Sequence, residues 1–269
     1  MVLLSGGGAF DRDGSSGPNK PLKDLAWGLA GRQVAVLRFD KPTFAHPDRL
    51  PADFTMVEEY LPPALAAVDL LRARPEVDPH RVHLVGHSMG GKVAPRIAAA
   101  AEPPLAGLVL LAADAQPMHE AAVRVARHLA ALTPGPGATE LVAALVRQAA
   151  VVAGPDLAPD TPAESLPFGL SAAYWLDLRG YDQLATAAGL GLPMLILQGG
   201  RDYQVTVEDD LTRWQQALAG RPGVSIRVHP DLNHLLMPGT GPATPAEYAR
   251  PGHVAAAVVE EIADRLLGR

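Results

Sequence analysis

The 269-residue chain contains no cysteine, which excludes disulfides, thiolate metal sites and a cysteine nucleophile together. Positive charge is also short: 23 Lys and Arg against 29 Asp and Glu leave a net −6, with no basic stripe. A nucleic-acid surface is therefore not expected, and a small neutral or weakly polar substrate fits better. The first residues, MVLLSGGG, lack the basic flank and apolar length of a signal peptide. No apolar run approaches the roughly 20 residues that cross a membrane. These absences predict a soluble cytoplasmic protein without membrane contact. No internal repeat and no disordered tail are visible, and the length suits one α/β domain with an insertion.

What is present is organised around RVHLVGHSMGGKVA, Arg81 to Ala94. A β-favouring run through Val82, Leu84 and Val85 stops at Gly86-His87-Ser88-Met89-Gly90, and small helix-forming residues follow to Ala101. Glycine, any residue, serine, any residue, glycine between strand and helix is the form of a nucleophile elbow, a strained turn that lifts a serine hydroxyl clear of the backbone. The two glycines are needed because a side chain at either position would strike the neighbouring strand or helix. A helix starting behind Ser88 directs free N–H groups at the place where a substrate oxyanion would form. Pro95, about two turns into that helix, predicts a bend.

Before the elbow, Val2 to Leu4 reads as a buried strand, and Ser5-Gly6-Gly7-Gly8 as a loop whose backbone can approach a ligand closely. Leu22, Leu25, Ala26 and Leu29 recur at helical spacing, with Asn19 as N-cap and Gly31 as stop. Gln33 to Phe39 is the next strand. Thr55 and Glu58 have capping-box form and open a helix toward Arg74, in which Pro62-Pro63 predict a kink or a split. Leu105 to Asp114 is an apolar run typical of a central parallel strand. The alternation of strands and helices predicts a mostly parallel sheet flanked by helices. From Gln116 to Ala188 the strand signal vanishes, and helices are expected over 119–132, 139–152 and 171–178. This stretch reads as a helical lid (116–188) inserted before the penultimate strand, with residues 1–115 and 189–269 forming the core. Strands at Pro193 to Gln198 and Val224 to Val228, and helices over 207–219 and 254–267, complete the chain.

A serine is a poor nucleophile until a histidine within hydrogen-bond reach, itself oriented by a carboxylate, takes its proton. In strand-turn-helix hydrolases the chain order is serine, acid, histidine. Ser88, Asp202 and His234 satisfy it, each following a predicted strand at the same carboxyl edge. Asp114, closing the preceding apolar strand, is the rival acid; His83, His87 and His229 are less well placed than His234. His80, His83 and His87 cross a strand and a turn, so no metal site is expected there. The oxyanion donors are expected to be the N–H groups of Met89 and Gly7, with Gly8 as the alternative to Gly7. Phe10, Trp175 and Leu235 are candidates for an apolar substrate pocket.

The segments GGGAFDRDGSSGPNKPLKDLAWGLAGRQVAVLRFDK, YWLDLRGYD, LPMLILQGGRDYQV, LNHLLMPG and TPAEYARPGHV resemble the serine hydrolases of the α/β-hydrolase fold, in particular the EstD-like bacterial carboxylesterases. The likeness runs from Val2 nearly to the C-terminus. It implies Ser88 as nucleophile, Asp202 as acid, His234 as base, short-chain carboxylic esters as substrates and no cofactor. Two departures stand out. Ser5 occupies the place where the family usually has a histidine or glutamine before its glycine, so the loop lacks that brace. The chain also begins almost directly at the glycine-loop strand, without the upstream strands usual in such proteins, which would expose a sheet edge that a homodimer could cover. The same triad could cleave amides or thioesters or transfer the acyl group, and a catalytically silent ligand-binding protein is the reading from another class.

Overall fold

The computed structural model describes residues 1–269. Its centre is a six-stranded sheet of β1 (Val2–Leu4), β2 (Leu37–Arg38), β3 (His83–His87), β4 (Gly107–Leu111), β5 (Met194–Gly199) and β6 (Val224–His229), in the order β2-β1-β3-β4-β5-β6. Every neighbouring pair is parallel. Strand periodicity of two sorts the core into two layers. Leu4, Leu84, Leu108, Leu110 and Ile196 face one side, and Leu3, Val85, Val109, Leu111 and Leu197 the other. The first layer is covered by α3 (Met56–Arg72) and α4 (Met89–Ala100), the second by α1 (Pro21–Ala30) and α10 (Ala256–Leu267). With both faces buried, β4 has no reason to alternate, and Leu108 to Leu111 are all essentially inaccessible. Each such side chain contributes about 1.5–3 kcal/mol of burial.

Parallel pairing brings the carboxyl ends of the strands to one rim. Leu4 pairs with Gly86, His87 with Leu111, and Gly199 with His229, so the loops after β1, β3, β4, β5 and β6 emerge side by side. From β1 the chain runs outward to β2 and then returns to β3 on the opposite flank. That reversal opens a crevice between the loops after β1 and β3, the place where open α/β sheets hold ligands.

Several local expectations give way to packing. β2 is two residues rather than Gln33 to Phe39, because the N–H groups of Gln33 and Val34 still bond the last carbonyls of α1, those of Ala30 and Leu29. Helix α3 opens with the capping box at Thr55 and Glu58 but continues unbroken through Pro62-Pro63, as α4 does through Pro95. The lost bonds are outweighed by burial of Met56, Tyr60, Ala64, Val68 and Leu71 along one face. Asn19 does not cap α1, whose N-cap is Lys20. Its side chain donates to the Tyr248 and Arg250 carbonyls and accepts from Gly252 N–H, tying the start of α1 to the C-terminal segment. Gly31 closes α1 in a right-handed conformation.

After α2 (Pro42–Ala45) and the elements above, four helices lie between β4 and β5: α5 (Met118–Leu132), α6 (Pro136–Ala153), α7 (Ala172–Gly180) and α8 (Gln183–Gly189). α5 and α6 pack on each other as a helical hairpin, while α8 packs on α4. Few hairpin residues are buried, and Leu132 and Leu141 are exposed. A π-helical turn at Val207–Leu211 leads into α9 (Thr212–Ala217). No helix is long and apolar enough to cross a membrane.

Candidate active site

Ser88 sits between β3 and α4 at φ 55° and ψ −123°, a backbone state that costs a non-glycine residue about 1–3 kcal/mol. Neighbours enforce it. Its N–H donates to the Leu111 carbonyl at 2.9 Å, and its own carbonyl accepts from Gly91 N–H at 2.8 Å and Lys92 N–H at 3.0 Å. The flanking glycines permit it: a Cβ on Gly86 would lie 2.2 Å from the Gly90 carbonyl oxygen, and one on Gly90 2.5 Å from that of Ser5. No rotamer relieves such contacts, since they involve backbone on both sides.

Asp202 and His234 meet at the same rim. His234 Nδ1 lies 2.7 Å from Asp202 Oδ2, and both residues are buried. The other carboxylate oxygen, Oδ1, accepts from the N–H groups of Gln204 at 2.8 Å and Val205 at 3.0 Å, so the acid is held by the turn that follows β5. Burial works to lower the His234 pKa, but the facing Asp202 carboxylate prevails and raises it. The His234 loop is itself anchored. Asn233 Oδ1 accepts from Leu235 and Met237 N–H, and Asn233 Nδ2 donates to Glu247, which Arg201 pairs with. His87 Nε2 lies 2.7 Å from the His234 carbonyl oxygen.

The serine hydroxyl turns elsewhere: Ser88 Oγ donates to Asp114 Oδ1 at 3.4 Å, and no hydrogen bond joins it to His234. Burial pushes the Asp114 carboxyl up to about 6 against the opposing pull of Lys92. Two cavities meet at Ser88. One, of about 140 Å³, is also lined by Gly7, Phe10, His234 and Leu235. The other, of about 1130 Å³, runs along the inner faces of α5 and α6 past Ala122, Val125, Leu129 and Leu145, and includes Asp114 but not His234. Trp175 lines neither; it is buried beside a third cavity with Lys92 and His119. His83 and His229 stand apart as well, His83 against the Arg81 carbonyl and His229 beside Glu261.

A sequence model of the alpha/beta hydrolase family matches residues 1–261. The chain belongs to that family. It is 37% identical over 263 residues to "Esterase EstD" of Thermotoga maritima, covering 98% of this chain and 60% of that protein. The chain thus spans about three fifths of that relative's length. Among solved structures, Est1E from Butyrivibrio proteoclasticus superposes with a TM-score of 0.60 at 18% identity, covering 100% of this chain and 88% of that one. Proline iminopeptidase of Mycobacterium smegmatis gives 0.59 at 18% identity, with coverage of 99% and 90%. Similarity at that level identifies the fold alone.

Beneath the rim of this alpha/beta hydrolase lies a polar cluster that sequence reasoning does not find. Lys41 and Glu59 are 2% and 3% exposed, deep enough that every polar atom must find a partner. Lys41 Nζ contacts Glu59 Oε1 at 2.7 Å and donates to Tyr60 Oη at 2.8 Å and the Gly6 carbonyl at 3.0 Å. Tyr60 Oη donates to the same Gly6 carbonyl at 2.7 Å. Glu59 also accepts from Thr43 Oγ1 at 3.2 Å and Tyr174 Oη at 2.7 Å. Asp210 is a second missed group: its carboxylate accepts from Ala115 and Gln116 N–H at 2.8 Å each, fixing the loop that presents Asp114. In both cases the residue types are ordinary and the partners distant in sequence.

Proposed function

We propose that the chain is a serine carboxylesterase acting on short-chain carboxylic esters through an acyl-enzyme on Ser88. The observation that carries this reading is the 2.7 Å His234–Asp202 contact in a cavity shared with a serine held in strained backbone. The esterase name of the 37%-identical relative supports it. In the first half-reaction Ser88 Oγ rotates from Asp114 to His234, which accepts its proton at Nε2 as Oγ attacks the ester carbonyl. Catalytic contacts that are open in a free enzyme commonly close on substrate. Asp202 keeps the Nδ1–H tautomer and stabilises the imidazolium. The N–H groups of Gly7 and Met89 receive the oxyanion. The tetrahedral intermediate collapses as the imidazolium gives its proton to the departing alcohol. Water, deprotonated by His234, then attacks the acyl-enzyme, and Ser88 Oγ leaves with that proton.

The two cavities divide the ester. The leaving oxygen must reach His234 for its proton, so the alcohol belongs in the 140 Å³ cavity that His234 lines. The acyl group stays bonded to Ser88 and belongs in the apolar space beneath α5 and α6, the part of the 116–188 segment that serves as lid. Short acyl groups occupy the mouth of that space and longer ones extend along it. The reading is tested by fluorophosphonate labelling and by two ester series, one varying the acid on a methyl ester, the other varying the alcohol on an acetate. Ser88 labelling, turnover of the short-acid methyl esters and a decline with alcohol length are expected. An unlabelled Ser88 and no hydrolysis in either series would sink the proposal.

A further inference from the structure

Resting on the ester-hydrolase reading above, we infer that Lys41 and Tyr60 are positioning residues: together they fix the Gly6–Gly7 peptide so that the Gly7 amide faces the oxyanion. The Gly6 carbonyl accepts from Lys41 Nζ at 3.0 Å and from Tyr60 Oη at 2.7 Å, which uses both its lone pairs. A peptide unit is planar and trans, so its N–H points opposite to its carbonyl. Pinning the Gly6 oxygen against Lys41 and Tyr60 therefore fixes the Gly7 N–H on the side of the peptide away from them. A Cβ on Gly6 would be 3.2 Å from Ser88 Cβ, and one on Gly7 3.5 Å from Met89 Cβ. The Gly7 N–H donates to no group of the chain.

Such a peptide needs holding. Between two glycines it can rotate at little steric cost, which is what lets this backbone approach the nucleophile and also what leaves its dipole undefined. The holding contacts come from Lys41 and Tyr60, far from the glycine loop in sequence. The brace is also fully satisfied. Lys41 Nζ faces the Gly6 carbonyl, Tyr60 Oη and Glu59 Oε1, while Glu59 Oε2 is met by Tyr174 Oη from α7 at 2.7 Å. Burying an ion pair this deeply returns little to the fold, because desolvation offsets the attraction, and apolar replacements of similar size are often neutral or stabilising. The net attraction of the pair therefore contributes little to stability. Orientation of the loop depends on it.

The test exploits that difference. The double variant K41M/E59L removes the ion pair together, and Y60F removes one of the two donors to Gly6. Both would be assayed for thermal stability, kcat, KM, and inhibition by a trifluoromethyl ketone, which becomes a tetrahedral oxyanion on Ser88, beside the product acid, which does not. For K41M/E59L we expect a folded protein with a transition temperature lowered only by the Tyr174 hydroxyl losing its acceptor, KM within about threefold, and kcat lower by about 10²-fold, the scale of losing one oxyanion donor. Ketone affinity should fall by the same factor and product-acid affinity should not. Y60F, which keeps Lys41, should lose about tenfold in kcat with KM unchanged. If K41M/E59L fails to fold, Y60F carries the decision alone. Wild-type kcat and wild-type ketone affinity in a folded variant would overturn the positioning role. A wild-type protein that neither labels with fluorophosphonate nor binds the ketone would instead overturn the hydrolase reading, and the role with it.

Discussion

The Ser88 hydroxyl rests against Asp114, 3.4 Å away and at the end of β4, while His234 makes its short contact with Asp202 at the end of β5. Two carboxylates thus share the rim with different partners, one on the serine and one on the histidine. Their environments differ too: Asp202 accepts two backbone N–H groups, whereas burial pushes Asp114 up to about 6. A group that must orient and stabilise an imidazolium needs to be fixed against it, which describes Asp202, held by two N–H groups and 2.7 Å from His234.

Asp202→Asn is expected to lower kcat by about 10⁴, by analogy with serine-protease triads, and Asp114→Asn by no more than about tenfold. The pH profile separates them further. The Asp202 carboxylate raises His234 above its ordinary value of 6.5 against the effect of burial. The acidic limb of kcat/KM, where the base is lost to protonation, should therefore lie above pH 6.5 in the wild type and move to lower pH in Asp202→Asn. A limb that moves only in Asp114→Asn would exchange the two roles.

Asp114 also makes stability depend on pH. Its carboxyl holds a proton more tightly folded, at about 6, than unfolded, at 3.8. The folded state therefore binds more protons across that window, and the stabilising contribution, complete below pH 3.8, is lost as pH rises through 6. The full swing is at most about 3 kcal/mol, less what water in the adjoining groove screens. Urea unfolding of Asp114→Asn beside the wild type should show the variant gaining about 1 kcal/mol between pH 5 and 7.5. An unchanged difference would mean that Asp114 is ionised throughout.

The elbow predicts a gain of stability with loss of function. At φ 55° and ψ −123°, Ser88 carries strain that glycine would not. Ser88→Gly should therefore unfold at a higher denaturant concentration than Ser88→Ala, by about 1–2 kcal/mol, although both variants should lose about 10⁶ in turnover. Equal stability of the two would show that the turn is not strained.

The elbow is legible because its requirements are local: Gly86 and Gly90 are dictated by contacts within a few residues and with the adjacent strand. The meeting of Ser88, Asp202 and His234 at one rim follows from strand alternation, since parallel pairing fixes where each loop emerges. The split that Pro62-Pro63 suggest does not occur for the opposite reason, as a local rule loses to the tertiary burial of α3. Lys41, Glu59, Asn233 and Asp210 leave no sequence signal because their roles come from partners in other elements. Asn233 reaches Glu247, and Asp210 reaches Ala115.

His87 shows what that hidden support does for the base, and here the pH effect has the opposite sign. Burial, followed by the nearby His234, lowers the His87 pKa to about 4, so its ring is neutral near pH 7. It lies with Nε2 2.7 Å from the His234 carbonyl, a contact that requires Nε2 to carry the proton. His87→Leu would leave that buried carbonyl unpaired, at a cost of about 1–3 kcal/mol, and loosen the loop that aims His234, lowering kcat more than it raises KM. His87→Gln keeps a donor and should recover part of the loss. Because the folded pKa is depressed, the unfolded chain takes up the proton first as pH falls below 6.5, and the stability contributed by neutral His87 is lost as pH falls toward 4. Relative to the wild type, His87→Gln should thus gain about 2 kcal/mol on going from pH 7.5 to 5, while Asp114→Asn loses ground over the same interval. Parallel movement of the two variants would contradict both assignments, since a buried neutral imidazole and a buried protonated carboxyl respond to acid in opposite directions.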